Sequence, residues 1–107
     1  MKRAPLIEIL YTDECPFWKE VVKLVEEVNR ELKTEAIIKK LKIANEQDAK
    51  KLRFPGSPTI RINGVDIDPE AKEAKAFIGC RIYRYENRLC ESPPKEMIKK
   101  AFQRILK

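Results

Sequence analysis

The chain has 107 residues, of which 43% are hydrophobic and 37% charged, and its formal net charge is +6. That length suits one domain, residues 1–107, with a core large enough to stand without disulfide or metal staples. No apolar run approaches the ~20 residues of a membrane span, and the absence of histidine excludes Cys-His and Ser-His catalysis and histidine-bound metal.

The opening Met1-Lys2-Arg3-Ala4-Pro5 has no separate apolar region and no small-residue cleavage site, so no signal peptide is expected. The cytoplasm is the predicted location, with no membrane partner. Basic residues are interleaved with Glu, as on a solvated surface. Arg81, Arg84 and Arg88 form the one local cluster, and no nucleic-acid motif accompanies it, so nucleic acid is not an expected partner. The Lys- and Glu-rich composition, with only two Gln, is the pattern of heat-adapted proteins.

In chain order, Leu6 to Tyr11 is short, apolar and β-prone, and reads as a buried strand. Cys15 follows, where a strand ends and a helix begins. A thiol so placed would face unpaired helix N–H groups, which favour its anion. Pro16 is expected at the first helical position. From Phe17 to Leu32, Val21, Leu24, Val25, Val28 and Leu32 recur at helical spacing, with Lys and Glu opposite. Ala36 to Ile43 is predicted as a strand whose Lys39, Lys40 and Lys42 suit an exposed edge. Asn45 is a cap for a short helix to about Arg53, ended by Phe54-Pro55-Gly56.

Thr59-Ile60-Arg61-Ile62 and Val65-Asp66-Ile67 flank Asn63-Gly64, the signature of a two-residue hairpin. Glu70 to Ala76 reads as a helical turn or a loop. Cys80 to Tyr85 is predicted as a strand, turning at Glu86-Asn87 toward Leu89. Ser92-Pro93-Pro94 introduces a last helix with Met97, Ile98, Ala101, Phe102, Ile105 and Leu106 on its apolar face. The predicted order is β-α-β-α-β-β-α. The first two strands run parallel through a right-handed crossover, and the hairpin adds an antiparallel pair.

Three cysteines cannot all pair within one chain, and in a reducing compartment they point to a reactive thiol rather than a framework. Cys80 follows Gly79 and reads either as a partner for Cys15 or as a small buried hydrophobe. Cys90 is ten residues beyond Cys80, so a Cys80–Cys90 clip is a further alternative.

This order, with Cys15-Pro16 at the first helix and Ser57-Pro58-Thr59 before the hairpin, resembles the thioredoxin and glutaredoxin superfamily over about residues 6–67. Three segments narrow the likeness: Cys15-Pro16-Phe17-Trp18, Gly56-Ser57-Pro58-Thr59 and Cys80-Arg81-Ile82-Tyr83. They resemble small thioredoxin-like proteins with a single-cysteine Cys-Pro-X-Trp motif. The resemblance implies an α/β thioredoxin-like fold, with helices on both faces of a mixed four-stranded sheet and an inserted segment before the last helix. It also implies that Pro58 is cis and that Ser57 faces the sulfur of Cys15.

The departure is Trp18, which stands where dithiol members carry the resolving cysteine. Asp13 and Glu14 also place negative charge beside the thiol, opposing its ionisation.

The expected function is thiol–disulfide exchange. Cys15 attacks, and Cys80 or an external thiol resolves the mixed disulfide. Pro16, Phe17, Trp18, Ser57, Pro58 and Thr59 would form the substrate surface, and the partner would be a protein or small-molecule thiol or disulfide. No bound cofactor or metal is required. The alternatives are a non-catalytic binding module presenting Phe17 and Trp18, and a soft-metal site in which Cys15 and Cys80 hold Cu(I) or mercury.

Overall fold

The computed structural model describes residues 4–106. Strand β1 is Leu6–Tyr11, helix α1 Trp18–Glu31, β2 Ile37–Lys42, α2 Glu46–Lys51, β3 Thr59–Ile62 and β4 Val65–Asp66. A 3₁₀ turn at Pro69–Glu73 follows, then β5 Tyr83–Tyr85, β6 Arg88–Cys90 and α3 Lys95–Ile105. The result is an α/β fold. One mixed sheet has the order β2-β1-β3-β4, and β5-β6 form a separate hairpin.

The sheet follows from the chain's patterning. β1 pairs in parallel with β2, Ile9 opposite Lys40, and antiparallel with β3, Ile9 opposite Ile60. β1 is central and nearly all apolar because it has neighbours on both sides. β2 lies at the margin, with Lys39, Lys40 and Lys42 exposed. The Asn63-Gly64 turn has φ of 50° and 82°, the left-handed pair that a tight two-residue hairpin requires.

Ile7 and Ile9 of β1 and Ile60 and Ile62 of β3 share one core with Val21, Val25 and Val28 of α1 and Ile98, Ala101 and Phe102 of α3. Leu10 points the other way along β1 and packs with Ile43, Phe54 and Ala49 of α2. Helices therefore cover both faces. Asn45 caps α2, its Oδ1 accepting the Asp48 N–H at 2.9 Å.

Two expectations change. α1 begins at Trp18, with Phe17 at the cap, so Pro16 lies in the preceding turn and not at the first helical position. The predicted strand from Cys80 shortens to Tyr83–Tyr85, because Gly79, Cys80 and Arg81 pair with Ser57 instead of with β6. The segment from 70 to 76, expected as a helical turn or a loop, starts in the 3₁₀ turn Pro69–Glu73, with Asp68 accepting the Glu70 N–H at its head, and continues as irregular chain. No helix among the described residues is long and apolar enough to cross a membrane.

Candidate functional site: two thiols beside the Pro58 turn

The end of β1 delivers Thr12 and Cys15 to the turn before β3. The Thr12 N–H donates to Ser57 Oγ at 3.1 Å, and the Cys15 N–H reaches Thr12 O at 3.3 Å. The Ser57–Pro58 bond is cis. The Cys15 thiol donates to Ser57 O at 3.4 Å. The sulfur thus sits against the Pro58 turn, three residues ahead of α1. Among the described contacts it meets Ser57 and Cys80 rather than the helix N–H groups expected from sequence.

Cys80 completes the site. Its Sγ lies 2.8 Å from Cys15 Sγ, across 65 residues of sequence, and donates to it. All three cysteines are free thiols. The approach is created by backbone pairing. The Ser57 N–H donates to Gly79 O at 2.7 Å, and the Arg81 N–H donates to Ser57 O at 2.8 Å. Residues 79–81 lie as a parallel bridge along Ser57, with the side chain of Cys80 over Cys15. Cys15 is consequently only 1% exposed, whereas Cys80 is exposed. A freely reachable Cys15 was the expectation from sequence, and this segment is what covers it.

Arg81 holds the bridge in place. Its two terminal nitrogens each lie 2.9 Å from an Asp66 oxygen, and one also donates to Thr59 Oγ1 at 3.1 Å. Its guanidinium stacks 4.2 Å from the Tyr83 ring, and Tyr83 donates its hydroxyl to Pro58 O at 2.5 Å. These contacts tie the 80–83 segment to both sides of the Pro58 turn. Gly56, at φ +119°, lets the backbone pass there, since a Cβ would stand 3.0 Å from Arg81 Cβ.

The remaining sequence candidates are dispersed around this centre. Pro58 and Thr59 are buried, and the Thr59 hydroxyl donates to Gly56 O at 2.6 Å. Pro16 is exposed, and Phe17 and Trp18 are half-buried. Trp18 stacks on Tyr11, ring centroids 4.0 Å apart, with Lys19 above it. Asp13 pairs with Lys42 at 2.5 Å, which offsets part of its negative charge near Cys15. Cys90 lies opposite Tyr83 in the β5-β6 hairpin and packs on the main core, so the Cys80–Cys90 clip is not formed.

Arg81 was the residue sequence reasoning placed wrongly. Its place in the Arg81, Arg84 and Arg88 cluster suggests surface charge, yet it is 6% exposed. A signal was available: an arginine inside a β-prone alternation, downstream of two aspartates at the hairpin.

The proton on Cys80 is held tightly. Its hydrogen bond to Cys15, removal of the sulfur from water, and the nearby Cys15 and Glu91 push its pKa up to about 11. Burial raises the Tyr83 phenol still further, so it remains a hydrogen-bond donor. Among the described residues, no group of three or more Cys, Asp or Glu converges as a metal site.

Fold and site together define a small α/β domain in which two distant cysteines meet sulfur to sulfur. The chain belongs to the family described as Domain of unknown function (DUF2703), whose model matches residues 15–102. No curated protein matches the chain.

Proposed function

We propose that the protein is a thiol–disulfide exchange protein on a thioredoxin-like scaffold, with Cys15 and Cys80 as its redox couple. The observation that carries this reading is the 2.8 Å contact between their sulfurs. Forming a disulfide of ordinary length needs an approach of less than about 1 Å. Support also comes from the sheet order β2-β1-β3-β4 and from Ser57 beside the sulfur, both of which fit the thioredoxin resemblance. Cys80 fills chemically the role that Trp18 cannot, by supplying the second sulfur from another segment.

The test is a thiol count after exposure to a disulfide oxidant, with peptide mapping. The wild-type chain should retain one thiol, Cys90, and yield a Cys15–Cys80 crosslink. Its reduced form should reduce a model disulfide, and Cys15→Ser and Cys80→Ser should each lose that turnover. Equal rates for Cys15→Ser and wild type would remove the couple from the reaction.

The converging sulfurs support a second reading, a site for a soft monovalent or divalent cation such as Cu(I) or mercury. One equivalent of Cu(I) taken up by wild type, and by neither serine variant, would support it.

A further inference from the structure

The two sulfurs differ in what can reach them. Cys15 lies under the 79–81 segment, and both backbone groups of Ser57 are already paired there. An incoming strand finds no free backbone partner at Ser57. The segment is fastened on either side, through Phe77 N–H to Phe54 O at 2.7 Å and through the Arg81–Asp66 pair. A reactant therefore meets Cys80 first.

Beside Cys80 opens a cleft of about 360 Å³ walled by Pro55, Ala71, Ala74, Phe77 and Ile82. The lining is polar and apolar in about equal parts, since Asp68, Glu70 and Arg81 join those side chains, and that volume suits a small polar organic molecule. Among the described residues, Asp68 and Glu70 bring acidic charge to the cleft, and Glu91 acts on the Cys80 sulfur. Arg81 also lines it, but its charge is met by Asp66 and Asp68.

We propose that small thiols and their disulfides react at Cys80, with Cys15 as the inner sulfur, and that this cleft seats their organic part and favours cationic or neutral groups over anionic ones. The inference rests on the exchange reading above and assigns its point of attack and substrate class. In the oxidised couple, a thiolate RS⁻ attacks Cys80 Sγ. The Cys15–Cys80 bond breaks, its electron pair passes to Cys15 Sγ, and a Cys80–S–S–R mixed disulfide forms. A second RS⁻ attacks the R-side sulfur, giving RSSR and releasing Cys80, and both protein sulfurs take up protons. Two thiols are oxidised and one protein disulfide is reduced.

The test uses the wild-type chain oxidised to the Cys15–Cys80 disulfide, treated with cysteamine, 2-mercaptoethanol or glutathione, then acid-quenched, alkylated and mapped. The adduct should lie on Cys80, with Cys15 alkylated. At equal thiolate concentration, cysteamine should react about tenfold faster than glutathione, with 2-mercaptoethanol between them. Ala74→Trp, an exposed position, should slow 2-mercaptoethanol several-fold while sparing methyl methanethiosulfonate labelling of the reduced chain. An adduct on Cys15, glutathione reacting fastest, or an unaffected Ala74→Trp chain would overturn this inference and leave the exchange reading standing. Failure of the Cys15–Cys80 disulfide to form at all would overturn the exchange reading itself.

Discussion

Arg81 grips Asp66 with two nitrogens, each 2.9 Å from a carboxylate oxygen, one residue along from the thiol that touches Cys15. The pair is largely shielded from water, with side chains 6% and 15% exposed. Removing one partner of such a pair leaves an uncompensated charge. Arg81→Met should therefore lower the free energy of unfolding by about 3 kcal/mol, read by urea denaturation. Oxidative formation of the Cys15–Cys80 crosslink should slow in the same variant. Arg81→Met combined with Asp66→Leu should recover part of the stability but not the crosslinking rate.

The raised Cys80 pKa fixes the sign of a pH effect. The folded state holds this proton up to about pH 11, whereas the ordinary thiol releases it near 9.0. Between those values the native state binds more protons than the unfolded chain. The contribution is thus present below pH ~9 and is lost as pH climbs through that window. Denaturation midpoints of the reduced chain should fall across it. In Cys15→Ser the fall should flatten, because the leading cause of the shift has been removed.

Two substitutions probe how the covering segment is seated. Gly56→Ala sets a side chain at φ +119° and 3.0 Å from Arg81 Cβ, and should destabilise by about 1–2 kcal/mol. Tyr83→Phe removes only the hydroxyl that reaches Pro58 O and should cost about 1 kcal/mol. Thermal unfolding of the reduced proteins checks both. A Gly56→Ala chain as stable as wild type would show that the segment shifts freely.

Lys95 joins Glu27 and Glu31, and Lys99 reaches Glu31, linking α3 to α1 across their exposed sides. Single exposed pairs contribute little near 25 °C, but networks gain as heating weakens the hydration of charge. With the Lys- and Glu-rich composition, this leads to an expected unfolding midpoint above ~65 °C. Lys95→Ala should lower it by a few degrees, and by less in 1 M salt, as scanning calorimetry would read.

Local signals explain what was legible in the chain. Val21, Val25 and Val28 define α1 by spacing alone, Asn45 marks its helix start, and Asn63-Gly64 fixes the hairpin. Each is a near-neighbour effect. Cys80 was legible as the candidate partner of Cys15, through the Cys80-Arg81-Ile82-Tyr83 segment, but a Cys80–Cys90 clip stood beside it, because the contact with Cys15 spans 65 residues and no near-neighbour signal selects it. The pairing that lays residues 79–81 over Cys15 is long-range as well. It depends on the paired backbone of Ser57 and on Asp66, which lies fifteen residues from Arg81. Ile82, 55% exposed, and Arg81, buried, reverse the usual sorting of apolar and charged groups, so alternation alone misassigned the strand.

The lysines along β2 have a bearing on how copies of this molecule behave in concentrated solution. An open strand margin offers unpaired amide and carbonyl groups to any similar margin. Here Lys39, Lys40 and Lys42 stand exposed along it, so two such borders approaching each other bring ammonium groups together. Mutual repulsion of that kind opposes edge-to-edge pairing, and acetylating those amines would weaken it.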